Sequence, residues 1–345
     1  MGLVLGIESS CDETAVALVA SDRRIVAQRI ASQDEAHAPF GGVVPEIAAR
    51  AHAERLAPMI DAVLDESGAS LGQLDAIAAT AGPGLIGGVM VGLVTAKALA
   101  MASEVPLYAI NHLEGHALSP RLADEALDFP YLLLLVSGGH CQIVQVLGVG
   151  RYKRLATTID DALGEAFDKT AKILGLGFPG GPAVERLARE GDPRAVPLPR
   201  PLKGSAEPHF SFAGLKSAVL RAHDSGRYGA ADIAASFQQA ALECVTDRLA
   251  QAFARIEPAE TLVVAGGVGA NAAMRAALER FAAERGLRFS APPPALCTDN
   301  AAMIAWAGHE RLAVGAPADP LDTAARPRWP LDPAAEPVRG AGYKG

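Results

Sequence analysis

Short apolar runs alternate along this chain with longer stretches whose apolar positions recur every three or four residues, which is the pattern of an α/β fold. Residues 3–7 read as a buried strand, 8–13 as a polar turn and 14–20 as a return strand, together a β-hairpin. A helix is expected over 45–66, kinked at Pro58. A strand over 76–79 leads into a glycine-rich turn and a helix over 88–102. A strand over 107–110 runs into Asn111-His112 and a helix that continues past His116. The pattern then restarts with a strongly apolar strand over 131–136, the turn Ser137-Gly138-Gly139-His140 and a return strand over 142–147. A helix over 159–174 places Asp160 and Asp161 in its first turn, favourable against the dipole. Residues 175–182 read as a loop, and 191–208, with prolines at 193, 197, 199, 201 and 208, as a surface excursion. A long amphipathic helix over 230–256 precedes a strand over 261–265 that ends in Gly266-Gly267, then a helix to Arg285. The last helix covers 299–314, and 316–345 reads as an arm or tail. Two halves that each open strand–turn–strand predict a duplicated α/β architecture with a cleft between two lobes.

Composition narrows the function. Of 345 residues, 50% are apolar and 20% charged, too apolar for a disordered chain. Lys plus Arg is 31 and Asp plus Glu is 39, a net charge of −8, which argues against holding nucleic acid by bulk charge. Any nucleic acid must be met locally, for example by Lys169, Lys172, Arg326 and Arg328. The four cysteines, at 11, 141, 244 and 297, show no C-x-x-C spacing, so reduced thiols are expected rather than disulfides or a cysteine zinc site. The N-terminus lacks a basic region before its apolar run, so no signal peptide is expected. Residues 76–96 carry no charge over a membrane-span length. Gly82-Pro83-Gly84 and Gly87-Gly88 interrupt them, so a strand, a turn and a helix start are expected and no membrane span.

Three constellations carry chemistry. In His112-Leu113-Glu114-Gly115-His116, residues four apart share a helix face, so both imidazoles can reach one ion. A carboxylate is the usual third ligand, and Asp299, at a helix start, is a candidate. Ordinary polar surface is the alternative reading. Zinc proteases place Glu directly after the first His. Here Glu114 comes one position later, about 200° around the helix from His112 at ~100° per residue, which argues against peptide hydrolysis. The second constellation is three glycine turns at 136–140, 179–182 and 265–271, whose backbone N–H groups can face an anion. None matches a P-loop, and close helix–strand packing is the alternative. The third is Asp161, Glu165 and Asp168, expected on one helix face, either solvated or accepting hydrogen bonds from a ligand.

Taken together, these motifs resemble one family over nearly the whole chain. They are Gly6 through Thr14, Gly41-Gly42-Val43-Val44-Pro45-Glu46, Asn111 through His116, Val136 through His140, Asp160 through Lys169, Phe210-Ser211-Phe212 and Cys297-Thr298-Asp299-Asn300. The family is the bacterial tRNA N6-adenosine threonylcarbamoyltransferases, once labelled O-sialoglycoprotein endopeptidases. The resemblance implies the actin, Hsp70 and sugar-kinase fold, with RNase-H-like lobes at 1–130 plus 298–330 and at 131–297, and a Pro/Ala-rich tail over 331–345. It implies transfer of a threonylcarbamoyl group from threonylcarbamoyl-AMP to N6 of adenosine 37 in tRNAs reading codons that begin with A, releasing AMP. An ATP-dependent phosphotransferase of the same fold is the alternative.

The resemblance carries metal ligands to His112, His116 and Asp299, for one iron or zinc ion per subunit. It carries substrate contacts to Leu135, Val136, Ser137, Gly138, Gly139, Asp168, Gly181 and Asn271, with Glu185 as a further candidate for a ribose hydroxyl. It implies a smaller paralogous partner subunit, a small ATPase, a separate synthase for the donor, and a cytoplasmic setting. Chemistry asks for more. The mixed anhydride already has a good leaving group, but aromatic N6 is a weak nucleophile, so carbonyl polarisation, charge stabilisation and positioning are needed. Asp12 and Glu13 are the candidate bases for the N6 proton. The chain departs from the family pattern at Cys141, Ala213, Ser217 and Gly269, none of which is a carried-over ligand. A buried, inert thiol is expected at Cys141.

Overall fold

Leu3–Glu8 (β1) and Glu13–Ala20 (β2) pair antiparallel, from Leu3 opposite Ala20 to Glu8 opposite Ala15, as the expected hairpin. The computed structural model describes residues 2–40, 42–177, 179–256, 259–338 and 340. Gly41 of the expected Gly41-Gly42 motif and residues 339 and 341–345 of the expected tail lie outside them. The chain continues through Ile25–Ser32 (β3), the short Asp34–His37 (α1), Pro45–Ser67 (α2), Ala76–Gly82 (β4), Ile86–Ser103 (α3), Leu107–Asn111 (β5) and His112–Ala123 (α4). Next come Tyr131–Val136 (β6), Cys141–Gly148 (β7), Arg151–Thr157 (β8), Leu163–Ile173 (α5), Gly180–Ala188 (α6), Ala213–Asp224 (α7) and Ala230–Phe253 (α8). Thr261–Ala265 (β9), Ala272–Ala283 (α9), Arg288–Ser290 (β10) and Ala301–Ala313 (α10) complete it.

The chain divides into two compact units, 1–126 with 298–333, and 127–297 with 334–345. In the first the strand order is β3-β2-β1-β4-β5, and in the second β8-β7-β6-β9-β10. Each has two antiparallel pairings on one side of its first strand and two parallel pairings on the other. The duplication expected from the pattern is therefore a full topological repeat, with β6 standing where β1 stands. The third strands, β3 and β8, escaped the sequence reading. Both mix buried and exposed positions and lack a strong apolar run.

Within the first unit, Leu5, Ile7, Val16, Leu18 and Ile77 face a core that also takes Leu56, Ile60 and Val63 from α2 and Leu93 from α3. Pro45 sits at the first turn of α2, where its missing N–H costs nothing, and Gly68 ends it in the left-handed conformation. The helix runs unbroken through Pro58. The uncharged stretch resolves into β4 and α3. That helix is long and apolar enough to cross a membrane, but it packs Leu93, Ala96 and Ala100 onto the unit's own core and buries Val89. On the other sheet face α10 lies against β1 at Gly6, where a Cβ would meet Ala301 O at 2.2 Å and Ala305 N at 2.7 Å.

Residues beyond α10 are no loose tail up to 333. Asp319 Oδ2 accepts from Ala109 N (2.9 Å), Arg326 N donates to Ala81 O (2.7 Å), and Trp329 O accepts from Asn111 Nδ2 (3.1 Å). The segment runs as an arm along the parallel side of the first unit's sheet.

Gly6→Ala is expected to destabilise the protein by about 1–3 kcal/mol or more, because backbone must retreat to admit one methyl group. Gly72→Ala, with nothing within 4 Å of the added carbon, should change urea unfolding by a few tenths at most. Equal effects of the two substitutions would contradict the close approach of α10.

Candidate active site

In the first unit, polar side chains gather where β1, β4 and β5 end, the usual place for ligands in parallel sheets. β5 ends in Asn111, whose side chain accepts from Leu113 N (2.9 Å) and starts α4 directly on His112. One helical turn later comes His116. The two rings meet edge to face with centroids 4.7 Å apart. Asn300 plays the same capping part for α10, accepting from Met303 N (2.9 Å), and so places Asp299 just ahead of that helix. Asp299 Oδ1 lies 3.0 Å from His116 Nε2 and 3.5 Å from His112 Nε2. One ligand atom from each of the three falls within 4.8 Å of the others.

The electrostatics suit a cation. Burial lifts the Asp299 carboxyl, but His112 and His116 overcome this and hold it well below the usual range. Burial depresses His112, yet Asp299 and Glu8 carry it well above an ordinary imidazole. Burial, then Asp299 and Asp12, push Glu13 up to about 10, so it keeps its proton at neutral pH. Asp299 and Glu8 thus share the two imidazoles, with Asp12 and Glu13 close to Asp299. His116 Nδ1 is buried with no hydrogen-bond partner among the described residues. Two convergent imidazole nitrogens, a carboxylate and unspent negative charge are a donor set that fits a transition-metal ion.

Glu114 takes no part in it. Its Oε2 sits 2.6 Å from Arg311 Nη2, and it is 1% exposed. A glutamate held in that buried ion pair cannot serve a water between the histidines, as the spacing argument expected.

Asp12 ends the turn between β1 and β2, Glu13 opens β2, and their side chains share a hydrogen bond. The turn is held from below by His52, which is fully buried. Its Nε2 donates to Cys11 O (3.0 Å), so its Nδ1 is the acceptor for Thr14 Oγ1 (2.8 Å). Nothing in the sequence singled out His52, and Glu8 reads there only as part of a polar turn.

In the second unit the corresponding turn follows β6. Leu135 and Val136 are strand residues with fully buried side chains, so any contact they make to a ligand is through main chain. Ser137 N donates to His140 O (2.8 Å), and Ser137 Oγ accepts from His140 N (3.2 Å). Gly138 is exposed, with nothing within 4 Å of an added Cβ, as is true of the half-buried Gly139. Gly266, ending β9, takes φ +91°, and a Cβ there would meet Val136 O at 2.4 Å. Cys141 is buried in β7, as expected.

The expected acidic helix face is not observed. The helix starts at Leu163, so Asp160 and Asp161 precede it. Asp160 instead starts α7, accepting from Ser211 Oγ (2.5 Å) and Phe212 N (2.8 Å). Asp161 pairs with Lys169 (2.6 Å) and Lys216 (3.2 Å). Glu165 turns back to Ala162 N (2.7 Å), satisfying an orphan donor of its own helix. Local capping outcompeted the extended helix reading. Asp168 is the exception. Its Oδ1 accepts from Gly180 N (2.9 Å), beside Gly181, in a segment that is helix from Gly180 rather than loop. One turn on, Glu185 Oε1 accepts from Ala272 N (3.0 Å) at the start of α9. Asn271 caps that helix through Met274 N (2.9 Å) and donates to Gln238 Oε1 (3.1 Å). Asp168, Gly181, Glu185 and Asn271 are thus linked through α6. Gln238, in mid-helix α8, carries no sequence signal and was missed.

Residues 24–306 match the family described as TsaD: tRNA N6-adenosine threonylcarbamoyltransferase. The chain is 76% identical over 344 residues to the tRNA N6-adenosine threonylcarbamoyltransferase of Erythrobacter litoralis (strain HTCC2594), covering 100% of both. Among solved structures, T. kodakarensis HypF matches with a TM-score of 0.61 and 16% identity, over 91% of this chain and 48% of that one. Component A of the (R)-2-hydroxyglutaryl-CoA dehydratase of Acidaminococcus fermentans matches with a TM-score of 0.55 and 16% identity, over 91% and 100%. These two speak for the fold alone, the two-lobed α/β fold of the actin, Hsp70 and sugar-kinase type. With the motifs in order, the duplicated topology in place and the identity running end to end, the chain belongs to the tRNA N6-adenosine threonylcarbamoyltransferase family.

Proposed function

We propose a division of labour between the units for the reaction that the family name describes. The chain transfers a threonylcarbamoyl group from threonylcarbamoyl-AMP to N6 of adenosine 37 in tRNAs that read codons beginning with A, and AMP leaves. The observation that carries the assignment of roles is the convergence of His112 Nε2, His116 Nε2 and Asp299 Oδ1. These three hold one iron or zinc ion. Nitrogen-rich sites suit such ions, whereas magnesium in a phosphotransferase prefers oxygen. The ion, when bound, supplies Lewis-acid polarisation of the donor and stabilises charge as the phosphate leaves.

The remaining steps fall to the chain. In the second unit, main chain of Leu135 through Gly139 lies against the donor, and the open Gly138 and Gly139 let their N–H groups approach it. Asp168 and Gly181 flank the ribose, and Glu185 and Asn271 offer acceptors and a donor to its hydroxyls. In the first unit, Asp12 takes the N6 proton, while Glu13, holding its own, donates a hydrogen bond to it.

Outside this machinery, α3 shows solvent an apolar stripe: Ile86, Met90, Val94 and Met101 are 46–66% exposed. Lone exposed apolar residues are ordinary, but a stripe along one helix marks a protein contact. It is the docking face for the smaller paralogous partner subunit, and a small ATPase joins the assembly. The −8 charge leaves part of the tRNA grip to those partners and to exposed arginines such as Arg326 and Arg328. The setting is the cytoplasm, where tRNA and donor meet.

His112→Ala and His116→Ala are each expected to abolish bound metal and t6A formation in a reconstituted reaction while the circular dichroism stays native. A metal-free double variant with full activity would refute the assignment. Metal affinity should fall on acidification, because protons compete for the imidazole nitrogens. His112 lies above the usual 6.5 without metal, so the decline in chelator competition should begin above that pH. A profile flat from pH 8 to 6 would contradict this. Met90→Glu with Val94→Glu should weaken co-elution with the paralogue at least tenfold and leave metal content unchanged. Unimpaired co-elution would place the partner elsewhere.

A further inference from the structure

Glu8 lies outside the three ligands, yet it is the group to which the first of them is tied. It is 1% exposed at the end of β1. Its Oε1 accepts from Ser10 N at 2.6 Å. Its Oε2 accepts from Thr80 Oγ1 at 2.6 Å and lies 2.9 Å from His112 Nδ1. A buried carboxylate already receiving a backbone N–H and a hydroxyl is set as an acceptor. The proton between Glu8 and His112 therefore sits on Nδ1, with Ser10 Oγ also within 3.2 Å of that nitrogen. This leaves the Nε2 lone pair directed to the side where Asp299 Oδ1 lies. His116 has no such anchor, since its Nδ1 has no partner among the described residues.

We propose that Glu8 is a positioning residue for the metal centre, holding His112 in the Nδ1–H tautomer and in the one ring orientation that presents Nε2 to the ion. Carboxylates that accept from the far nitrogen of a ligating histidine fix its tautomer and raise its basicity, and losing one typically costs 10–100-fold in metal affinity. Thr80 and Ser10 are the struts of the arrangement. Three chain segments, the end of β1, β4 and the start of α4, are thereby pinned to one carboxylate. The inference rests on the metal reading above and adds a residue to it.

Glu8→Gln keeps the shape and removes the charge. Zinc titrated against a chromophoric chelator should bind this variant 10–100-fold more weakly than wild type, while the melting temperature of the metal-free protein stays close to wild type. A folded Glu8→Gln variant with wild-type zinc affinity would overturn the proposal. The wild-type protein provides a second test that needs no substitution. With 15N-labelled histidine and zinc bound, NMR should place the proton on His112 Nδ1 and the metal on Nε2. Zinc on Nδ1 would overturn the proposal equally. His112→Ala retaining wild-type zinc affinity would instead remove the metal reading itself, and this proposal with it.

Discussion

A carboxylate taken out of water must find positive charge or give up its own. That constraint organises the first unit around the ends of β1, β4 and β5. Glu8, buried, and Asp299, half-buried, sit on either side of His112, and burial with the charges of Asp299 and Asp12 keeps Glu13 protonated. Much of the local architecture serves this balance. Two asparagine caps set α4 and α10 so that His112, first in α4, faces Asp299, just ahead of α10, and His52 braces the acidic turn from beneath. The metal ion proposed for the site would supply the charge the cluster lacks, and its binding would be coupled to loss of imidazole protons.

The same topology, used a second time, solves a different problem. In the second unit the turn after β6 is built from Ser137, Gly138 and Gly139 rather than from acids, and β9 closes against it through a left-handed glycine. Where the first unit concentrates charge, the second exposes backbone. Strand ends in a parallel sheet leave N–H groups without partners, and small residues let a ligand reach them. One strand order thereby carries an acidic cluster in the first unit and an open glycine turn in the second.

The fold was largely legible from the chain because burial writes its period into the sequence. The hairpin, β4, β6, β9 and most of the long helices follow from apolar spacing, while α7 went unread. Failures came where a local hydrogen bond competes with that period. Asp160 and Asp161 look like a helix start, but one holds the start of α7 and the other binds two lysines. The strands β3 and β8 sit at the antiparallel edges, where only part of each faces the core, so their pattern is diluted.

Among the site residues, the sequence alone determined what depends on neighbours in the chain. His112 and His116 share a face because a helix returns every 3.6 residues, and the turn after β9 takes glycine because Gly266 sits at φ +91°. Tertiary structure decided the rest. It brought Asp299 to His116 across 183 positions, gave Glu114 to Arg311, and turned Glu8 from a turn residue into the anchor of His112. Those outcomes depend on which buried charges can find partners in space. Coulomb attraction in a dry interior is set by distance between atoms, and sequence separation carries no information about it.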